Sequence, residues 1–440
     1  MGGLETAIMI KLVAINHTFQ KPEFYKRWKL LAQQHKDVDV TLLAPTEWAW
    51  GKEKTLTYGH IDHLKGNNIE EENFHIHLID TKMNMMGEWT SKQLTYEILE
   101  IKPDIVYFIG GHTAAPLMQL IDIRRKYKLN SMKIMAFSMR GHLPTLAYTD
   151  TKFSLKQSLR HLAKQMILRP RLRKMNKNCD AIFCHYPAAL SAFREEGYKG
   201  PIYMQTQVGV DPDIFYANVA AREKIRKKYN IGDAYLFGSA SRFHYSKGLS
   251  EIIQALPEEG NWKFLMMGWG RPDEVEKIKN DIAKRGFEDR IILTGFIDNW
   301  QDMAEHWNAL DCAVHTPLTT MKWEETFSLA LTQAMATGLP VIGSSSGSVP
   351  YQIGEEGIIV QEGDIVALRE KLITMLSCPE EGRTIGAKMY QRAINSFNIY
   401  HLSELFYCTM LDVLNDVYDA KKIDMANGIY GDKYVKKDKQ

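Results

Sequence analysis

Hydrophobic runs and amphipathic stretches take turns along the whole chain. In the first half, short β-rich runs predict strands over 10–15, 38–44, 74–78, 105–109, 134–137, 181–184 and 202–205, and helical spacing of apolar residues predicts helices over 23–34 and 114–127. Strands alternating with helices imply a parallel sheet covered on both faces. The second half repeats the scheme, with strands expected over 234–238, 263–267, 291–293, 312–315, 341–342 and 358–360. Between the halves, the turn-rich crossing Val208-Gly209-Val210-Asp211-Pro212 precedes a charged helix over 221–229. The expected organisation is α/β, with two Rossmann-like doubly wound domains over 1–208 and 209–397. A helix over 398–420 is expected to pack back towards the first domain, ahead of a charged tail over 421–440. Ligands of doubly wound sheets sit beyond the carboxyl ends of the strands, so two such domains facing each other predict a central cleft as the active site.

A chain of 440 residues exceeds what one core usually supports, which agrees with two domains. Its formal net charge of +2 gives no global case for a nucleic-acid binder. The apolar run over 7–15 is interrupted by Lys11 and is too short to span a bilayer. No small-residue cleavage site follows it, so it reads as a first buried strand rather than a signal peptide. The five cysteines lack metal-ligand spacing and suggest reduced, structural thiols in the cytoplasm.

The most informative stretch runs from Trp323 to Ile342. An acidic loop with Glu325 leads through Thr326, Phe327, Ser328 and Leu329 into a small-residue helix, which passes Gln333 and stops at Gly338 before Pro340 and an apolar strand. A helix N-terminus presents unpaired backbone N–H groups and the positive end of a dipole, which suits a phosphate. At about 1.5 Å rise per residue, the step from Glu325 to Gln333 spans roughly 12 Å, comparable with the separation of sugar and ribose in a nucleotide-sugar. A second landmark is Ser241-Arg242-Phe243-His244-Tyr245-Ser246-Lys247-Gly248. Two cations on a loop after a strand can neutralise a diphosphate and stabilise it as a leaving group.

These two stretches, with Gly268-Trp269-Gly270, Gly295-Phe296, Pro317 and the crossing from Gln207 to Pro212, occur in the order found in the retaining glycosyltransferases of family 4, which the chain resembles over nearly all of its second domain. The resemblance implies the GT-B architecture. It also implies retaining transfer of a sugar from a nucleotide-sugar donor, with UDP as the expected nucleotide, to a glycan or lipid-linked acceptor in bacterial cell-surface polysaccharide synthesis. Carried over by position, it implies that Arg242 and Lys247 bind the donor diphosphate and that Glu325 contacts donor-sugar hydroxyls. The backbone of Phe327, Ser328 and Leu329 would hold sugar or phosphate, Gln333 would meet the ribose, and Gly268, Phe296 and Thr326 fall on the donor side. No obligatory cofactor or metal is implied. The leaving diphosphate itself would assist the incoming hydroxyl on the same face, which leaves positioning and charge stabilisation to the protein.

The chain departs from the family at identifiable positions. Gln333 stands where the family has a second Glu, family glycines are replaced at Thr326, Ser328 and Ser348, and an acidic residue is missing near Tyr351. In the first domain, Asn16-His17 replaces a Gly-rich loop, and the family's histidine falls near Met139. Arg140, His142 and His112 are the candidates for its place, with His17, Gly111 and His112 on the acceptor side. These departures keep open a second reading, a non-catalytic GT-B subunit that binds glycan or stabilises a partner transferase. A dehydrogenase on similar sheets is disfavoured because no Gly-x-Gly-x-x-Gly follows the first strand. The segment 152–177, with Arg160, Arg169, Arg171, Arg173, Lys174 and Lys177 beside an apolar stripe, suits peripheral contact with an anionic membrane at the inner face of the plasma membrane.

Overall fold

The computed structural model describes residues 9–46, 68–84, 87–141, 155–321, 323–355 and 357–417, with 155–164 as backbone alone. These residues divide into two compact units, one built from the sequence up to Gln207 together with Tyr400 onwards, the other from Val208–Ile399. The predicted tail over 421–440 lies outside the described residues.

The first unit contains β1 (Ile10–Ile15), β2 (Val38–Pro45), β3 (Ile69–Glu71), β4 (Phe74–Ile79), β5 (Lys82–Met83) and β6 (Trp89–Thr90). These are followed by β7 (Ile105–Ile109), β8 (Lys133–Phe137), β9 (Ala181–Cys184) and β10 (Ile202–Met204). Eight of them form one sheet in the order β10-β9-β8-β7-β1-β2-β4-β3, parallel except for the edge pair β3 and β4, while β5 and β6 pair separately. The crossovers are helical: α1 (Pro22–Gln34), α2 (Lys92–Ile101), α3 (Ala115–Lys126), α4 (Leu155–Asn178) and α5 (Pro187–Glu195). Parallel neighbours need such long connections, and the helices cover the sheet faces. The central strand β1 therefore has Leu12, Val13, Ala14 and Ile15 fully buried, with β2 on one side and β7 on the other. The edge strand β3 is short and carries Glu70 and Glu71, so it shows no apolar run for a sequence reading to detect.

The second unit runs α6 (Val219–Lys228), β11 (Tyr235–Ala240), α7 (Leu249–Ala255), β12 (Trp262–Met267), α8 (Pro272–Arg285), β13 (Ile291–Gly295) and α9 (Trp300–Ala309). It continues with β14 (Cys312–His315), α10 (Leu329–Ala336), β15 (Val341–Ser344), α11 (Val349–Ile353), β16 (Ile358–Val360), α12 (Ile365–Ser377) and α13 (Pro379–Phe397). Its six strands are parallel in the order β13-β12-β11-β14-β15-β16. Strand order reverses between β11 and β14 here, and between β1 and β7 in the first unit. Such reversals are where crest loops diverge and leave a crevice for ligands.

The last helix, α14 (Ile399–Leu414), returns to the first unit and places Phe406, Met410 and Val413 in its core. Arg27 of α1 fastens it there. This nearly buried guanidinium donates to the carbonyls of Thr206 at 2.9 Å and Leu402 at 2.7 Å, and lies 5.5 Å from the ring centres of Trp28 and Phe406. Burial pulls its pKa down to about 10, so it remains cationic at neutral pH. Replacing Arg27 leaves those carbonyls without a donor. Arg27→Met is expected to destabilise the first unit by about 2–4 kcal/mol, from the loss of charged hydrogen bonds. Its amide exchange should accelerate over 400–414, whereas unchanged denaturation and exchange would show that Arg27 does not hold α14.

Candidate active site

The loops after β11 and β14 meet at the reversal point of the second sheet. Phe243 N–H donates to the Trp269 carbonyl at 2.8 Å, and Leu318 N–H donates to the Ser246 carbonyl at 2.8 Å. Two glycines make these approaches possible. Gly268 has φ +142°, and a Cβ there would lie 1.9 Å from the Ser241 carbonyl oxygen. Gly248 has φ +68°, and its Cβ would lie 2.0 Å from the Thr316 carbonyl oxygen. Neither the backbone conformation nor the space admits a larger residue. A short 3-10 turn, Tyr245–Lys247, is held between these contacts and aims Lys247 inward.

Lys247 Nζ sits 2.6 Å from Glu325 Oε2 and 4.3 Å from the centre of the Trp323 ring. His315, the last residue of β14, brings Nε2 to 3.4 Å from the same Glu325 oxygen. Burial alone pushes the Glu325 carboxyl upward, but the Lys247 charge and the His315 and Lys247 contacts outweigh it and hold the pKa at about 2. The carboxylate is thus ionised throughout the neutral range. Its backbone is held as firmly: Ser348 N–H donates to the Glu325 carbonyl at 2.7 Å, and a Cβ at Gly347, with φ +51°, would lie 2.0 Å from that oxygen.

Helix α10 begins at Leu329, so Glu325 precedes it in a loop and the helical rise expected between Glu325 and Gln333 does not apply. Ser328 is the N-cap, its Oγ accepting from Leu331 N–H at 3.2 Å. The Ser328 N–H, expected from the sequence to face an anion, is instead taken by Gln352. That fully buried amide accepts from Ser328 N–H at 2.8 Å through Oε1 and donates through Nε2 to the Ser328 carbonyl at 3.1 Å. Buried Arg392 in turn donates to the carbonyls of Tyr351 and Gln352, at 2.7 and 2.6 Å. The N–H groups of Leu329 and Ala330 have no acceptor among the described residues. They are the first-turn donors left for an anion.

The remaining donor-side residues are less closely gathered. Arg242 is exposed and makes no ion pair with any described residue. Phe296 stands 40% exposed beyond β13. Gln333 is buried, and its Oε1 accepts from the Trp307 indole N–H at 3.3 Å, which leaves its Nε2 hydrogens and one Oε1 lone pair to offer. His315 and Gln352 are absent from the sequence expectation, and Trp323 enters it only as the start of the informative stretch. His315 ends an apolar strand and Gln352 lies within a short apolar helix, so neither carries a local signal.

In the first unit the reversal point is polar but quieter. Buried Asn16 after β1 donates to the Ile109 carbonyl of β7 at 2.9 Å and ties the two crests together. His17 beside it is only partly exposed, and desolvation lowers its pKa to about 4. Gly111 is exposed, while His112 is buried with Nδ1 2.9 Å from Ser138 Oγ. Burial, with Arg140 as the lesser cause, lowers His112 to about 3, so it is neutral. Arg140 does not point free: it pairs with Glu196 at 2.5 Å and lies 4.7 Å from the Phe193 ring centre. Its guanidinium is thus held by a partly buried carboxylate just past the end of α5. His142 lies outside the described residues. A cavity of about 840 Å³ opens elsewhere in this unit, lined by Thr90, Lys92, Gln119, Lys126 and Arg171 among others, and touches none of these candidate residues. Among the described residues no three His, Cys, Asp or Glu side chains form a cluster that could hold a metal ion.

Residues 221–392 match the family described as Glycosyl transferases group 1. Over 204 residues the chain is 25% identical to the N-acetyl-alpha-D-glucosaminyl L-malate synthase of Bacillus anthracis, covering 45% of this chain and 51% of that one. Over 229 residues it is 24% identical to the GDP-mannose-dependent alpha-(1-6)-phosphatidylinositol monomannoside mannosyltransferase of Mycolicibacterium smegmatis, covering 50% and 59%. The chain thus spans about half the length of the curated relatives it matches. Among solved structures, Anabaena HepE in complex with UDP and glucose aligns over 92% of this chain and 100% of its own, at 16% identity and a TM-score of 0.62. The fold is that of the GT-B glycosyltransferases, two Rossmann-like parallel-sheet domains. Within it, residues 221–392 are the part similar to the glycosyl transferases group 1 family.

Proposed function

We propose that the chain is a glycosyltransferase that moves a sugar from a nucleotide-sugar to a glycan or lipid-linked acceptor. The observation that carries this reading is the Lys247–Glu325 pair at the crest of β11 and β14, next to the open first turn of α10. A lysine there suits a diphosphate, the Leu329 and Ala330 N–H groups suit its oxygens, and an ionised Glu325 accepts hydrogen bonds from sugar hydroxyls. Arg242, exposed after β11, is the second cation for the diphosphate. Gln333 would donate from Nε2 to a ribose oxygen, its Oε1 already accepting from Trp307.

We further propose a UDP-sugar donor, supported by the UDP bound in the HepE structure, although the mycobacterial relative is named for GDP-mannose. Transfer would proceed with retention, as in glycosyltransferase family 4. The diphosphate held by Lys247 and Arg242 leaves and assists the acceptor hydroxyl from the same face, so no protein base is required at the reacting carbon. A role in surface-polysaccharide synthesis follows from the same resemblance.

Thermal shift and nucleotide release with UDP-, GDP-, ADP- and dTDP-sugars test this reading. UDP and its sugars are expected to raise the melting temperature as ligands that bind only the folded state do. Lys247→Ala should lower transfer by about 10²–10³-fold, the scale of one lost transition-state contact. Failure of every nucleotide to shift the melting temperature would overturn the proposal.

The same reading includes contact with an anionic lipid surface through α4. Leu168, Leu172 and Met175 are buried, Arg171 pairs with Glu88, and Lys174 pairs with Asp122, so half of the basic stretch serves packing. The outward side keeps Arg169, Arg173 and Lys177 beside Met166 and Ile167, which are 70% and 40% exposed. The other basic residues of the segment 152–177, Lys152, Lys156, Arg160 and Lys164, lie outside the described side chains. Among the described residues no helix is long and apolar enough to cross a membrane. Cosedimentation with phosphatidylglycerol vesicles is expected at low salt, weakened by high salt and by Arg169→Glu with Arg173→Glu. Equal sedimentation with neutral vesicles, or none, would remove lipid contact from the reading.

A further inference from the structure

His315 is an ionisable side chain in contact with Glu325 that neither the diphosphate nor the sugar requires. Only 7% of its surface is exposed, and its Nε2 makes no hydrogen bond of normal geometry. That nitrogen nevertheless stands 3.4 Å from the Glu325 oxygen that Lys247 holds at 2.6 Å. Glu325 has no other charged side chain within ion-pair distance among the described residues, and its neighbour Glu324 on the same loop is also buried. The 345–348 loop contributes a backbone N–H to the Glu325 carbonyl rather than to its carboxylate.

The proposed donor site asks one ammonium to do two things. Lys247 neutralises Glu325 in the structure, yet binding of a diphosphate draws the same ammonium towards phosphate oxygens. A carboxylate 8% exposed cannot be left alone without a large desolvation cost. A second donor already facing the same oxygen, and short of a hydrogen bond by a few tenths of an ångström, answers that demand.

We propose that His315 is a positioning residue that takes over the Glu325 carboxylate when Lys247 engages the donor diphosphate. The inference rests on the donor reading above. The imidazole donates from Nε2, closes on Oε2, and keeps Glu325 ionised and oriented towards the sugar hydroxyls. Lys247 is then free to give its charge to the leaving group.

The test compares wild type, His315→Leu and His315→Gln in three measurements: the melting temperature of free protein, UDP and UDP-sugar affinity, and the pH profile of donor turnover. Because Lys247 still holds Glu325 in the free protein, His315→Leu should melt close to wild type. It should bind UDP and UDP-sugars at least tenfold more weakly, and its acid limb should move to higher pH, since Glu325 in the occupied site becomes easier to protonate. His315→Gln keeps an N–H donor and should recover most of the affinity. A merely structural histidine would show the reverse, a lowered melting temperature with unchanged affinity and pH profile, and that result overturns the inference. If wild type binds nucleotide and His315→Leu binds it equally well with the same acid limb, the inference alone fails. Wild type that binds no nucleotide overturns the donor reading and the inference together.

Discussion

A carboxylate and an ammonium, from loops 78 residues apart, meet at 2.6 Å in a nearly closed space. Neither charge is tolerable there alone, because an unpaired buried ion costs far more than the pair does. The pair therefore constrains both loops at once. The Lys247 loop reaches its position only because Gly248 presses its backbone onto the Thr316 carbonyl. The Glu325 loop reaches its own because Gly347 clears the Glu325 carbonyl and Ser348 binds it. Both supports are backbone contacts at left-handed glycines, where an added methyl group would collide with an oxygen about 2 Å away. The backbone of the second sheet's crest is thus fixed by close contacts, and a preorganised backbone is what electrostatic stabilisation of a leaving group demands.

Much of the scaffold around that pair is legible in the chain itself. Strands β7 and β9 are unbroken apolar runs, and β1 and β14 are interrupted only by Lys11 and the terminal His315, because both faces of the sheets are covered; helical spacing marks α1 and α3. Lys247 and Glu325 stand out because each sits at a strand-to-helix transition beside residues with a distinct local pattern. His315 and Gln352 do not, since their meaning lies in partners from other loops: Glu325 is ten residues away across a crest, and Ser328 is 24 residues away. The separate pair β5 and β6 is equally hidden, being two residues per strand and held by context. Local periodicity reports burial, whereas a polar side chain inside a core reports only on what it reaches.

The first unit shows the same limit from the other side. A sequence reading weighs Arg140 and His112 by their closeness to strand ends, but position along a strand says nothing about whether a charge is already answered. Arg140 meets Glu196 from the end of α5, and His112, desolvated beside Phe193 and Ser138, has lost its basicity. Asn16, unremarkable in the sequence, is the residue that joins the two diverging crests. The polar groups at this reversal point are therefore mostly neutral, in contrast to the cations Arg242 and Lys247 on the second sheet. A crest of neutral donors and acceptors suits hydroxyl groups, and a cationic crest suits phosphates.

Two amides stand beside the helix that would receive the phosphate, and their commitments explain one another. Gln352 withdraws the Ser328 N–H from the anion face, so the site loses one backbone donor relative to a helix start that is left open. Gln333 brings no carboxylate to the far end of that helix, and its carbonyl oxygen is held by Trp307. The first change weakens attraction for a diphosphate and the second removes a repulsion that a glutamate at that place would exert on it. With Glu325 neutralised by Lys247, no uncompensated negative charge faces the first turn of α10 from these positions. In the proposed donor site, a glutamine at this position would offer the ribose Nε2–H donors without the charge of a carboxylate.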